Sequence, residues 1–438
     1  MSVIGTLAAF VAGAKASALP GAQQERLRLH VADTAIASLA GASIPEGKSL
    51  RPLGGDTLAA RIARLAAATR LTEIDDIHLP SCVTPSAGIV PVALMLAAEM
   101  QQFDTSEIAS AIWAGTEIAT RLGLAVNGPQ ILYRGIWPTY LVAPVAAAAT
   151  AARLFGLNEA RTGHALSLAV MLTAGGVGRI HGAPSGRWFL YCNAVAGGVA
   201  AAQAARADFC GDPDVLDKTW LSDTHGVALD QEKLTEGLGA SSVYTELSLK
   251  PFCSAKQAIA AVNAFQSLLG RGISPDAISK VQVRVPPSYA GMISTRAEAG
   301  IRISTIVSVA HQLGLAALAP ETLYDIDRSK PTIDSAVAQF ASKVEVAVDP
   351  NLLPFYPRHW PAEVEVTVGG EVVRQRVVEA VGDPEHPIDA DGVTNKGHRV
   401  LDPLVGGARA AEWLKVSGAA LDDKTACRAL AEGYAAGF

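Results

Sequence analysis

The run Glu73-Ile74-Asp75-Asp76-Ile77-His78 places three carboxylates and an imidazole within six consecutive residues. Carboxylates this close shift one another's pKa values by like-charge repulsion, so Glu73 or Asp76 can serve as a general base and His78 as an acid. The same spacing also suits Asp75 and Asp76 capping a helix or turn, with His78 packed beside them. A metal hydrolase built on Asp75, Asp76 and His78 would need further ligands, and no second cluster of this density stands elsewhere, so no metal ligand is assigned. A second, basic group lies in glycine-rich sequence: Gly178-Arg179-Ile180-His181-Gly182, then Ser185-Gly186-Arg187. Guanidinium groups grip carboxylates bidentately, so Arg179 and Arg187 with His181 can hold a small polyacid, although the same glycines also make ordinary turns. Tyr133-Arg134-Gly135 is a candidate of the same kind. Lys250-Pro251-Phe252-Cys253-Ser254-Ala255-Lys256 adds two lysines that can polarise a carboxylate or transfer a proton, or simply be solvated beside a proline turn.

Several other chemistries lack their signatures. The serine of Gly182-Ala183-Pro184-Ser185-Gly186 comes one position too late for a nucleophile elbow. Gly176-Val177-Gly178 meets His181 where a dinucleotide-binding loop needs its third glycine, and no P-loop occurs, so a nucleotide cofactor is not expected.

The whole chain narrows the field further. Its 438 residues carry 36 basic and 42 acidic side chains, a net charge of −6, and only 18% charged residues. About 25% is usual. Half the chain is hydrophobic but aromatics make up 5%, so the apolar content is largely alanine and aliphatic. Such a chain folds around a large core and offers no clustered basic surface for nucleic acid or an anionic membrane, which leaves a small-molecule substrate. Three stretches free of formal charge, Ile77 to Ala98, Gly135 to Ala152 and Trp188 to Ala205, are interrupted by Pro85, Pro91, Pro138, Pro144, Asn193 and paired glycines. They read as buried helices or helix approaches, not membrane spans. The apolar run Val3 to Ala14 has no basic residue before it, which argues against a secretory signal. Five cysteines with no C-x-x-C pair suggest reduced thiols and a cytoplasmic location.

To about residue 250 the pattern is helical. Ser2 to Lys15 and Gly21 to Ala40 flank Pro20, with Gly41 expected as the glycine stop of the second helix. Asp104, with Glu107 three residues on, opens a helix towards Gly123, and Asn158 opens one reaching Thr173. After Pro251 valines alternate at 281, 283 and 285, at 344, 346 and 348, and at 364, 366 and 368. Gly369-Gly370 then turns into Val372 to Val378, a hairpin signal. Ser304 to Ala317 and Ile333 to Phe340 look helical, as do Gly407 to Lys415 and Asp422 to Ala436. The chain is expected to be mainly α. A large helical domain (1–250) is interrupted by a smaller α+β lid (251–385) and closed by C-terminal helices (386–438) that return to it.

In this order the features resemble the MmgE/PrpD family, which includes 2-methylcitrate dehydratase, cis-aconitate decarboxylase and iminodisuccinate epimerase. The likeness rests on Ala32-Asp33-Thr34-Ala35 with Leu39-Ala40-Gly41, and on Asp75-Asp76 followed by Pro85-Ser86 and Val90-Pro91-Val92-Ala93-Leu94. It continues through Gly135-Ile136-Trp137-Pro138-Thr139, Ala151-Ala152-Arg153-Leu154-Phe155-Gly156-Leu157, Asn193-Ala194 to Gly211, and Lys250-Pro251-Phe252. It implies a helical domain with a mixed lid, a homodimer, and cofactor-independent chemistry on small di- or tricarboxylic acids in a cleft between domains. The family's D-x-D-D motif falls here on Glu73, Asp75 and Asp76, followed by Ile77 where the family usually has threonine. Its lysine in the basic segment falls on Arg187, and its second lysine on Lys250. Two family histidines fall on Thr84 and Trp137, and the tyrosine of its S-x-x-Y motif on Val307.

Taken together, these residues suggest a lyase or isomerase (dehydratase, decarboxylase or epimerase) that removes a proton α to a carboxylate. Glu73 or Asp76 would be the base and His78 or His181 the acid. Lys250, Arg187, Arg134, Arg179, Tyr133 and Lys256 would hold carboxylates or stabilise the developing charge. The alternative, suggested by Thr84, Trp137 and Val307, is a catalytically divergent or inactive carboxylate-binding protein on the same fold.

Overall fold

The computed structural model describes residues 2–173, 186–240, 242–328 and 332–437. The chain forms two compact units, Met1–Leu247 with Asp389–Phe438, and Ser248–Ile388. The first is helical and the second mixed, so the protein is mainly α with a small α+β part.

In the helical unit the charge-poor stretches become core helices. Ser86–Met100, Pro138–Leu154 and Gly186–Arg206 pack with Leu58–Leu71 and Thr105–Ala125. Alanine along these helices allows close backbone approach, which explains a large core with few aromatic rings. Among the described residues no helix is long and apolar enough to cross a membrane. The C-terminal helices Ala390–Val405 and Gly407–Ala419 lie on Gly21–Ser43, and Lys424–Ala436 lies on Ser86–Met100.

Local signals set most helix starts. The Asp104 carboxylate accepts from the amides of Ser106 and Glu107 (2.9 and 3.1 Å) and opens Thr105–Ala125. Glu107 does not complete a reciprocal box; its carboxylate pairs with Arg153. Asn158 caps Glu159–Val170, three residues shorter than the expected end at Thr173. Gly41 departs from its expected role. The helix runs through it to Ser43, and a Cβ on Gly41 would lie 1.8 Å from the carbonyl oxygen of Ala68. The residue is a contact point between two helices, not a stop. Gly41→Ala is therefore expected to cost about 1–3 kcal/mol or more, measured by chemical denaturation. A loss within error of zero would refute the close-packing assignment.

The mixed unit holds a four-stranded sheet in the order Val344–Val348, Ile278–Val285, Ala362–Val368, Glu371–Val377. The first pair is parallel and the others antiparallel, with Val281 facing Val344 on one side and Val366 on the other. Gly369 and Gly370 both have positive φ (59° and 91°), as the two-residue turn requires. Helix Lys256–Gly270 covers the two hairpin strands. The single helix expected over Ser304 to Ala317 is two, Arg302–Val307 and Val309–Leu318. Extended backbone at Ser308 breaks it, and the Ser308 hydroxyl caps the second. All five cysteines are free thiols, four of them buried.

Candidate active site

Helix Leu58–Leu71 ends at Thr72, and the next residue, Glu73, takes the left-handed conformation (φ 57°) that glycine adopts at least cost. That strain directs the Glu73 carboxylate between two arginines: Oε2 lies 3.0 Å from Arg70 Nη1 and Oε1 lies 3.0 Å from Arg187 Nη2. Arg70 also reaches Asp75 at 3.2 Å. Burial opposes the Arg70 charge, but Asp75 and Glu73 outweigh it and hold its pKa above the ordinary guanidinium value.

Arg187 comes from the first turn of Gly186–Arg206, and its guanidinium lies over the rings of Trp188 (4.1 Å to the centroid) and Trp137 (5.0 Å). Trp137 stacks on Tyr140, which in turn contacts Tyr191. Burial raises the pKa of both tyrosines, although the nearby arginines pull that of Tyr140 down, so both hydroxyls are neutral donors. Three buried groups of this cluster have no hydrogen-bond partner among the described residues: Arg187 Nε, Trp137 Nε1 and the Tyr140 hydroxyl. Buried donors normally find acceptors, and a bound carboxylate could supply one.

Asp76 faces another way. Its Oδ2 lies 2.7 Å from His30 Nδ1, and its carboxylate accepts the amide and hydroxyl of Ser86. It thus holds the start of helix Ser86–Met100 from ten residues upstream, a cap of the kind its sequence allowed. An ionised carboxylate only accepts hydrogen bonds, so His30 donates to it through Nδ1. The other ring nitrogen, Nε2, is buried and has no partner among the described residues. One turn on from His30 in helix Gly21–Ser43, Asp33 pairs with Lys396 of helix Ala390–Val405 at 2.6 Å. Lys396 also donates to the carbonyl of Ile74 (2.8 Å), inside the acidic segment.

The structure distributes the other expected residues differently. His78 is fully buried with both ring nitrogens engaged, Nδ1 to Ser81 (2.8 Å) and Nε2 to Glu246 (3.0 Å), which counts against it as the acid. Asp75, Asp76 and His78 thus turn to separate sets of partners, and among the described residues no group of three or more His, Cys, Asp or Glu side chains could hold a metal ion. Tyr133 is half-buried, while Arg134 is exposed and donates to the carbonyl of Gly226 at 3.1 Å, away from the Glu73 cluster. Arg179 and His181 lie outside the described residues. Thr84 meets the Thr139 hydroxyl through its amide (3.0 Å) and its own hydroxyl (3.2 Å). In the mixed unit Lys250 is buried. Lys256, expected to bind substrate, is an internal pin instead. It pairs with buried Asp383, which also accepts from Ser248 (3.0 Å) and the Ala380 amide (2.9 Å).

Sequence reading missed His30, Arg70, Tyr140, Tyr191 and Lys396. His30 left a local trace, as a histidine one helical turn before Asp33, and so did Arg70, three residues before Glu73. Residues 5–225 match the MmgE/PrpD N-terminal domain, and residues 252–419 match the MmgE/PrpD C-terminal domain. No individual curated protein matches the sequence. The two domain matches cover most of the chain in the expected order, and the protein therefore belongs to the MmgE/PrpD family.

Proposed function

We propose that the protein is a lyase or isomerase acting on a small di- or tricarboxylic acid by removing a proton α to a carboxylate. The two family domains support dehydratase-type chemistry on such acids. The observation that carries the reading is the Glu73–Arg187 pair, beside three donors with no partner among the described residues, Arg187 Nε, Trp137 Nε1 and the Tyr140 hydroxyl.

A substrate carboxylate would compete with Glu73 for Arg187. As Arg187 turns to the substrate, Glu73 loses one of its two countercharges and becomes more basic, so binding itself would arm the base. The neutral donors would then stabilise the enediolate-like oxyanion. His30, held by Asp76 with Nε2 unpartnered, is wired as a proton carrier in the way a triad histidine is. Expulsion of a β-hydroxyl from the intermediate gives dehydration, the outcome the family favours, and reprotonation on the other face gives epimerisation. The scheme calls for no cofactor. Lys250 is proposed as a second cationic group on the strength of the resemblance.

The rival reading, carboxylate binding without turnover, draws on Thr84 being tied to Thr139 and on Trp137 being stacked in an aromatic row. One experiment separates the two: incubation with citrate, methylcitrate, aconitate, iminodisuccinate and tartrate-type acids in deuterated water, with exchange at the α-carbon followed by NMR. Exchange or product formation, reduced at least about tenfold by Lys250→Ala, is expected. Ligand-induced thermal stabilisation with no exchange into any acid would instead establish the binding protein.

A further inference from the structure

Helix Leu58–Leu71 carries two other arginines, Arg61 and Arg64, one turn apart. Arg70 follows Arg61 by nine residues, about half a turn round the helix axis, so they point to opposite sides. On the side away from Glu73, Arg61 and Arg64 join Arg51 in lining a cavity of about 270 Å³, with an apolar wall that includes Leu65, Met95 and Tyr434. No acidic side chain is among the described lining residues.

The three guanidinium groups are unevenly committed. Arg64 Nη1 donates to the carbonyls of Leu53 (2.8 Å) and Gly55, which fixes the side chain and leaves its other nitrogens available. Arg61 reaches half-exposed Glu99 only at 3.6 Å, and its Nε is buried without a partner among the described residues. The Arg51 side chain makes no hydrogen bond or ion pair among the described residues. Three like charges round one concavity repel one another, a cost that a bound anion removes. Because Arg64 is already fixed, little of its side-chain freedom is lost on binding.

We propose that this cavity is a second anion site, separate from the Glu73 cluster, which takes a compact oxyanion bearing two or more negative charges. Polycarboxylates and phosphate compounds share that chemistry, so the probes are citrate and inorganic pyrophosphate, titrated calorimetrically into the full-length chain at low ionic strength. The Arg187→Met variant is titrated in parallel to mute binding at the Glu73 cluster. We expect saturable binding in Arg187→Met, weakened about tenfold or more by adding Arg51→Gln or Arg64→Gln. Arg51→Gln is the decisive variant, because the Arg51 side chain makes no hydrogen bond or ion pair among the described residues and its replacement is expected to leave folding undisturbed. Tighter citrate binding assigns the site to a carboxylate ligand, and tighter pyrophosphate binding to a phosphate ligand. Absence of binding by either probe up to about 10 mM overturns the proposal. So does binding that Arg51→Gln leaves unchanged, or that is present in wild type and lost in Arg187→Met. An absence of α-carbon exchange with every acid would leave this site standing.

Discussion

Lys396→Met is expected to destabilise the helical unit by about 3–5 kcal/mol at neutral pH, because it leaves the buried Asp33 carboxylate without its counter-ion. Asp33 Oδ2 already lacks a hydrogen-bond partner among the described residues, so no hydrogen bond to that oxygen makes up for the lost ion pair. Burial holds the Asp33 carboxyl above its ordinary value, with Lys396 pulling it back down. A carboxyl raised in this way favours the folded state only while protonated. Its contribution is fully present below the unfolded value of about 4 and is lost as pH rises through the folded one. Removing Lys396 pushes Asp33 higher still, so the variant's deficit should be greatest at neutral pH and shrink as pH falls towards the carboxylate range. Urea denaturation at several pH values measures this. Asp33→Leu combined with Lys396→Met should recover most of the loss, since a pair replaced by apolar groups leaves no orphaned charge. A deficit below about 1 kcal/mol, or one that grows on acidification, would rule out this account.

Arg187→Met should lower kcat/KM on the substrate identified by the exchange assay by about 100- to 1,000-fold, the usual loss when one donor to a developing oxyanion is removed. Methionine keeps much of the side-chain volume beside Trp137 and Trp188, so stability should change far less than activity. Arg187→Lys is the sharper comparison. It restores the positive charge that methionine removes, but cannot lay a planar guanidinium over the two indole rings or present two parallel donors. Partial recovery in Lys, with none in Met, would show that the charge is needed as well as the geometry. Glu73→Gln should lower activity by a similar factor, because it removes the group whose basicity depends on Arg187. If Arg187→Met and Glu73→Gln each keep more than about a third of wild-type activity, the Glu73–Arg187 pair is structural and the proposed mechanism fails.

Much of the fold was legible in the sequence because the signals are local. Asp104 and Asn158 mark helix starts with side chains that bond their own amides, and the period-two valines with a double glycine mark strands and a hairpin. The charge-poor stretches became core helices because an uncharged, alanine-rich segment has little to lose on burial. The local rule misled at Gly41, where a glycine suited to ending a helix instead makes room for the Ala68 carbonyl, and at Ser304 to Ala317, where Ser308 caps a second helix.

The acidic run and Arg187 could be named as chemically capable from residue type alone, and the family follows from the order of motifs. Which of these groups oppose one another could not be read in this way. Arg187 lies 114 residues from Glu73 and Lys396 lies 363 residues from Asp33, and no local pattern encodes such distances. Sequence by itself determined a mainly helical chain with a small α+β part and a short list of charged residues. Tertiary packing decided which of those charges take internal partners away from this cluster, as Lys256 does with Asp383 and His78 with Ser81 and Glu246, and which pair beside donors that have no partner among the described residues, as Glu73 and Arg187 do. The physical reason is that burial makes an unpaired charge costly, so each buried charge takes its role from the partner the fold brings to it.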